Sequence, residues 1–374
     1  MAARDPVSEQ PTVSVIVPAR NEEACLGACL ESLAAQTGVK LEIIVVDDGS
    51  TDRTREIGKS FAGVRVVETG PLPPSWIGKN NALVAGTKEA RGEWLLFTDA
   101  DTVHQAGSLA RSVEEVRRQK ASLLSYSPEQ EVHGLWEKAV MPVIFAELAS
   151  SYRPSDVSDP ASFAAAANGQ YILISREAYD AVGGHAAIAA SLLEDVALAR
   201  AVKASGHKIF FRYGGDAVRT RMYRSFAQLK EGWTKNLALL FPSPGRLALL
   251  RLTEFVLIVS SATVAILMGV KGRTPASAAV GVLALALTGL FLRRIRKAHF
   301  SWDATVSALI GLPLFAYLLL RSRNAYQKGS VTWKGRRYTG NRTRASVETN
   351  QVEARRPLEI QQDADSTPSH ATSV

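Results

Sequence analysis

Apolar residues in the first two thirds of the chain come in short unbroken runs that stop at polar, glycine-bearing turns. Val13-Ser-Val-Ile-Val17 leads into Pro18, Leu41-Glu-Ile-Ile-Val-Val46 ends at Asp47-Asp48-Gly49-Ser50, and Glu93-Trp-Leu-Leu-Phe-Thr98 ends at Asp99-Ala100-Asp101. Runs of this length bounded by turn residues predict buried strands, with a shorter one at 64–67. The segments 22–33, 51–60 and 79–90 between them carry helical spacing. Strand and helix alternating at these lengths predict right-handed βαβ units, a mostly parallel sheet and an α/β class. Ligands of such sheets bind beyond the carboxyl ends of the strands. The acids at 47–48 and 99–101 fall there.

The pattern then changes twice. Phe226, Leu229, Trp233, Leu237, Leu240 and Phe241 share one helical face, and Arg224, Gln228, Glu231 and Lys235 share the other. Such a helix, within 221–241, suits either a bilayer interface or a core. Three apolar stretches follow at 253–270, 276–292 and 304–320. Each would reach roughly 26 Å as a helix, near the lower limit for spanning a membrane. Three full crossings would separate the N-terminus from the basic segment after 320, against the positive-inside rule. The third stretch, interrupted by Gly311 and Pro313, is the candidate for a re-entrant or interfacial segment. The chain therefore divides into a flexible start at 1–11, a globular domain at 12–240, a membrane region at 241–339 and a polar tail at 340–374. The tail is expected to be disordered, having too little apolar surface to offset its ordering entropy.

The net charge of +8 changes the picture through its location. Arg293, Arg294, Arg296 and Lys297 lie between two apolar stretches, and Arg321, Arg323, Lys328, Lys334, Arg336 and Arg337 follow the last. Clusters that flank apolar segments suit an anionic membrane surface rather than nucleic acid. The two cysteines, Cys25 and Cys29, form no framework of staples and fit a reducing compartment. The run Val13 to Val17 is too short for a secretory signal, so the domain is expected in the cytosol.

Candidate chemistry sits at the strand ends. Asp99 and Asp101 are two carboxylates whose repulsion a hard divalent cation, Mg²⁺ or Mn²⁺, would relieve; a turn or helix cap is the alternative. Asp47 or Asp48 could accept from a nucleobase N–H, or could simply close a turn. Gly78-Lys79-Asn80 fails the Walker pattern, because Pro73 stands where the first glycine is required and Asn80 where Ser or Thr is. Lys79 near a helix start could still meet a phosphate. Small residues from Ala164 to Gln170 allow close backbone approach to a substrate or merely tight packing. His104, His185 and His207 lack metal-ligand spacing; only His185 lies in a loop that could face a site.

Taken in order, Val15-Ile-Val-Pro-Ala-Arg-Asn-Glu-Glu23, Val45-Val-Asp-Asp-Gly-Ser-Thr-Asp52, Gly92 to Asp101, and Gly183-Gly184-His185 through Leu193-Glu194-Asp195 resemble family 2 glycosyltransferases over residues 12–240. That resemblance implies a Rossmann-like GT-A fold and inversion at the anomeric carbon. It implies a metal-dependent enzyme with a nucleotide-sugar donor, a UDP-sugar being favoured. It also implies donor binding by Pro18, Glu22 or Glu23, Asp47 or Asp48, Lys79, Asp99 and Asp101, with Asp101 the metal ligand beside Asp99, and Asp195 as general base next to Glu194. Trp76-Ile-Gly-Lys79 and Trp333-Lys-Gly-Arg-Arg-Tyr338 look most like membrane enzymes that glycosylate hopanoids, carotenoids or ceramide. A lipid acceptor and a multi-pass place in the inner membrane, facing the cytoplasm, follow as expectations. Polysaccharide synthases carry Gln-x-x-Arg-Trp, whereas Gln228-Leu-Lys-Glu-Gly-Trp233 has an extra residue and Gly232 before the tryptophan. This departure argues against a processive polymerase; a non-catalytic scaffold is the other alternative. It leaves Trp233 for the acceptor end and Arg221, Arg224, Lys230 or Lys235 for a phosphate.

Overall fold

The computed structural model describes residues 11–338 apart from Arg273; the tail from 340 and most of the expected flexible start lie outside the described residues. Along the chain come β1 (Val13–Ala19), α1 (Leu26–Ala34), β2 (Leu41–Asp47), α2 (Thr54–Ser60), β3 (Val64–Glu68), α3 (Gly78–Glu89) and β4 (Trp94–Phe97). Next are β5 (Thr102–His104), α4 (Ser108–Arg118), β6 (Leu123–Ser127), β7 (Glu129–Gln130), α5 (Leu135–Ser151), α6 (Pro154–Ser158) and β8 (Ile172–Ser175). They are followed by α7 (Arg176–Ala181), α8 (Gly184–Ala187), α9 (Glu194–Ala204), β9 (Ile209–Tyr213) and β10 (Val218–Thr220). The C-terminal third holds α10 (Phe226–Leu240), α11 (Pro244–Val270), α12 (Thr274–Ile295), α13 (Trp302–Gln327), β11 (Val331–Trp333) and β12 (Arg336–Tyr338).

Seven strands form one sheet in the order β3-β2-β1-β4-β8-β6-β9. It is parallel except for β8, which runs antiparallel between β4 and β6. Val15, Val17, Val45 and Leu96 point into one core with α1, and Ile16, Ile44, Val46 and Leu95 point into another with α3 and α9. This is the alternation that a period of two demands of a sheet covered on both faces. Helix α1 begins four residues later than the apolar pattern placed it. Asn21 takes a left-handed φ of 53° and the Glu22 N–H donates to Thr54 Oγ1 at 2.7 Å, so residues 20–25 are held as a loop against the turn after β2.

A second, helical core joins the domain to the apolar helices. Leu229, Trp233 and Leu237 of α10 meet Val140, Met141 and Ile144 of α5 and Leu312, Phe315 and Leu319 of α13. The apolar face of α10 is thus turned into protein, and the bilayer-interface alternative for 221–241 does not hold. A Cβ on Gly311 would overlap the Ala139 carbonyl oxygen, so the glycine that interrupts the third apolar stretch is what lets α13 lie against α5. Helices α11 and α12 pair with each other and leave Val256, Leu257, Ile266, Leu283 and Leu285 exposed. At their base, Arg251 Nε meets Glu147 Oε1 of α5 at 2.9 Å, Arg294 Nη2 meets Glu254 Oε2 at 2.7 Å, and Arg294 also pairs with Glu147. Two arginines and two glutamates, mostly buried, fasten the hairpin to the domain.

Replacing Gly311 by valine should cost about 1–3 kcal/mol through overpacking and lower the midpoint of thermal unfolding in detergent. Gly281→Ala on α12, with only Ala265 Cβ at 3.9 Å in range, should leave the midpoint unchanged or raise it slightly.

Candidate active site

The register of the parallel strands sets the site. Ala19 lies opposite Asp47 and Ile16 opposite Phe97, so the chain leaves β1, β2 and β4 side by side. The Asp48 N–H donates to Ala19 O at 2.9 Å and the Thr98 N–H to Ile16 O at 3.2 Å. These bonds bring residues 18–22, Asp48 and 99–101 to one edge. A smaller sheet, β5-β10-β7, pairs Thr220 with Thr102 and Gln130 and hands Arg221 to Arg224 to the same edge. Between them lies a cavity of about 410 Å³ lined by Pro18, Glu22, Asp48, Lys79, Asp99, Asp101 and Glu194, among others. That volume is within the usual range for small-molecule sites.

Charge dominates this cavity. Lys79 Nζ stands 2.7 Å from both Asp99 Oδ1 and Glu194 Oε1. Burial works against the ammonium, but the two carboxylates outweigh it and raise its pKa well above the ordinary value. Burial likewise opposes the charge on Glu194, and Lys79 more than offsets that, holding the carboxyl below its usual range. Asp101 has weaker relief: withdrawal from water, then the charges of Asp99 and Glu22, push it up to about 7 against the smaller opposing pull of Lys334 and Lys79. Asp195, next to Glu194, is pushed up to about 6 by burial and then by the Glu194 charge. Its Oδ2 accepts from the Gly169 N–H at 3.1 Å and its Oδ1 from the Val196 N–H at 2.8 Å. Gly169 is closely approached by these groups: a Cβ there would lie 3.1 Å from Lys79 Nζ and 3.2 Å from Glu194 Oε1. In the small-residue segment before β8, Gly169 lies against these charges, while Ala165, Ala166 and Ala167 pack into the core.

The structure separates neighbours that the sequence offered as pairs. Asp48 lines the cavity, whereas Asp47 turns into the loop and accepts from the Ser50 N–H at 3.1 Å. Glu22 lines the cavity, while Glu23 faces away to Arg53 at 3.4 Å. Glu194 is part of the cavity wall and Asp195 sits behind it. Arg221 and Arg224 reach the rim, with Arg221 bound to Glu137 at 3.2 Å. Lys235 reaches it too, whereas Lys230 lines a separate cavity between α10 and α13.

Trp233 is not at the site: it is buried in the helical core, its Nε1–H directed at Met141 Sδ at 3.3 Å. Gly232, where the synthase pattern has arginine, is pressed against the Tyr223 ring. His185 is packed, not facing the site; it pairs with Tyr179 Oη at 3.0 Å, and burial lowers its pKa to about 3.

Among the described residues, no group of three His, Cys, Asp or Glu side chains is placed to hold a metal ion by itself. Asp101 with Asp99 supplies the hard oxygen ligands that Mg²⁺ or Mn²⁺ takes when substrate phosphates complete its shell. The Asp101 pKa is raised first by withdrawal from water and then by the charges of Asp99 and Glu22, and a bound cation would offset both. The acids therefore fit a substrate-completed cation site rather than a closed one.

Sequence reasoning missed Arg20, whose Nη1 donates to Asp48 O at 2.5 Å, and the part of the cavity wall made by Trp333, Lys334, Arg336 and Tyr338. No spacing rule connects residues 300 positions apart.

Residues 14–176 match the profile described as Glycosyl transferase family 2. The 4,4'-diaponeurosporenoate glycosyltransferase of Staphylococcus aureus is 28% identical over 340 residues, covering 87% of this chain and 88% of the relative. Among solved structures, the mannosyltransferase PcManGT from Pyrobaculum calidifontis, in complex with GDP-Man and Mn2+, aligns with a TM-score of 0.47 and 17% identity over 85% of this chain and 87% of its own. The glucosyl-3-phosphoglycerate synthase from Mycobacterium tuberculosis, in complex with Mn2+, uridine-diphosphate and phosphoglyceric acid, aligns with a TM-score of 0.41 and 22% identity over 61% and 78%. The matched profile and the acids at the strand ends fall in the same segment: residues 14–176 carry a glycosyl transferase family 2 domain, built on a mostly parallel α/β sheet and followed by a hydrophobic helical region.

Proposed function

We propose that the protein is an inverting glycosyltransferase that moves one sugar from a nucleotide-diphosphate sugar to a hydroxyl of a membrane lipid. The observation that carries this reading is the set Asp99, Asp101, Lys79 and Glu194 around one cavity, with Asp195 directly behind Glu194, in a chain whose following helices expose apolar surface. The similarity to a carotenoid-acid glycosyltransferase runs through the apolar helices as well as the domain, which supports a lipid acceptor. A UDP-sugar is the favoured donor.

Asp195 is assigned as the general base. A carboxylate held near pKa 6 is largely ionised at neutral pH and a better proton acceptor than an ordinary aspartate. Glu194, neutralised by Lys79, is the weaker base. Asp195 takes the proton of the acceptor hydroxyl while the oxygen attacks the anomeric carbon. The bond from that carbon to the donor diphosphate breaks on the opposite face. The backbone N–H groups of Gly169 and Val196 keep the Asp195 carboxylate in place, and Lys79 holds Asp99 and Glu194 together. A Mg²⁺ or Mn²⁺ ion on Asp101, with Asp99 beside it, would neutralise charge on the departing diphosphate.

Among the described residues, three helices are long and apolar enough to cross a membrane, but 50% of the apolar window of α13 is buried in protein against 6% and 11% for α11 and α12. The segment after α13 touches the domain, with Lys334 paired to Glu22 and Arg336 to Asp48. Both ends of the helical region therefore lie on one side, which requires an even number of crossings. We assign α11 and α12 to the bilayer and α13 to the domain surface. Arg293, Arg294, Arg296 and Lys297 then share the cytoplasmic side with the domain, as the positive-inside rule favours.

Membranes holding the protein, given labelled nucleotide sugars, a divalent cation and lipid extract, should place label in the organic phase. Asp195→Asn should retain donor affinity and lose about 10²–10⁴ in turnover; a larger loss in Glu194→Gln than in Asp195→Asn would reassign the base. Because the base acts ionised, kcat/KM should be full above the Asp195 pKa of about 6. It should fall about tenfold per pH unit below it. Lys271→Cys in intact cells should react with an impermeant maleimide, and Ser330→Cys only after lysis; labelling of Ser330→Cys from outside would mean three crossings.

A further inference from the structure

We propose that the hairpin β11–β12 is the last wall of the donor site and that Lys334 binds the donor diphosphate, while Arg336 fixes Asp48 for the nucleoside. This assignment rests on the glycosyltransferase reading and adds two donor-binding residues to it.

Four side chains of the hairpin, Trp333, Lys334, Arg336 and Tyr338, line the same cavity as Asp48, Asp99, Asp101 and Glu194. The hairpin is fixed from behind. Val331 is buried, and the Lys235 ammonium lies 5.1 Å from the centre of the Trp333 ring. Arg336 grips Asp48 with both arms, Nη1 to Oδ2 at 2.5 Å and Nη2 to Oδ1 at 3.0 Å. The fit continues on the other side of the cavity: a Cβ on Gly78 would overlap Arg336 Nη1 and lie 2.7 Å from Asp48 Oδ2. The residue before Lys79 thus has no side chain where the guanidinium passes. Bidentate pairing of this kind fixes the carboxylate in orientation as well as charge.

Lys334 is different in kind. It sits at the tip of the two-residue turn, with φ 45°, followed by Gly335 at φ 75°. A turn with both central residues left-handed favours Asn, Asp or Gly at the first position. Lysine there is held against backbone preference, as strained residues at functional sites often are. Its ammonium pairs with Glu22, reaches Arg20 O at 3.2 Å, and lines the same cavity as Asp101. A diphosphate beside Asp101 in this cavity would have Lys334 in the same wall, held by one carboxylate, Glu22, where Lys79 is held by two, Asp99 and Glu194.

The turn supplies a clean test, because Lys334→Asn removes the charge and improves the turn. The full chain in nanodiscs, with excess Mn²⁺, is titrated calorimetrically with UDP, GDP, ADP and dTDP and with the matching monophosphates. For the diphosphate that wild type binds, Lys334→Asn should weaken affinity about tenfold or more, and the monophosphate much less. Lys334→Arg should restore most of it. Arg336→Ala should weaken both nucleotides alike. Unloaded melting curves check folding, and Lys334→Asn should melt no lower than wild type. Wild-type affinity in Lys334→Asn would overturn the assignment by reducing Lys334 to a structural tip. Tighter binding would overturn it by making the hairpin a plug. If wild type binds none of the diphosphates, the glycosyltransferase reading itself fails.

Discussion

Repulsion among carboxylates is the constraint around which this molecule is arranged. Glu22, Asp48, Asp99, Asp101 and Glu194 face one cavity, with Asp195 immediately behind. Withdrawn from water, unpaired acids in such proximity protonate or unfold the site. The fold answers with three cations from distant places: Lys79 from the start of α3, and Lys334 and Arg336 from the C-terminal hairpin. Gly78 lacks a side chain where Arg336 passes. Asp101 and Asp195 are the acids left short of positive charge, and each is assigned a partner that arrives with substrate: a divalent cation for the first, a proton for the second.

The same hairpin ties chemistry to the membrane. On the proposed topology it reaches Asp48 because the chain returns from the bilayer to the side it left, with α11 and α12 as a there-and-back pair. Helix α13 then becomes a bridge lying on α5 and α10. Fastened at its base by Glu147, Arg251, Glu254 and Arg294, the pair would hold the domain at the membrane surface, where a lipid hydroxyl would be presented to the cavity.

Much of this was legible in the sequence for an identifiable reason. Buried parallel strands read as unbroken apolar runs, and acids that stop such runs fall on the ligand-binding edge whatever the loops do. One-residue choices were not legible. Asp47 or Asp48, and Glu22 or Glu23, are decided by a turn and a left-handed Asn21, which composition does not encode. Trp233 and the face of α10 depended on what covers them, and that cover, α13, begins about seventy residues later. Lys334 and Arg336 read as membrane-flanking charge because only the folded chain places them beside Asp48 and Glu22.

The most direct test of the account is the affinity of wild-type protein for UDP and GDP, measured with Mg²⁺ or Mn²⁺ and again in excess chelator. A cavity walled by acids should hold a diphosphate only with the cation present, and affinity should collapse when it is removed. Binding of equal strength in chelator would contradict the account, because the carboxylates would then not be short of positive charge.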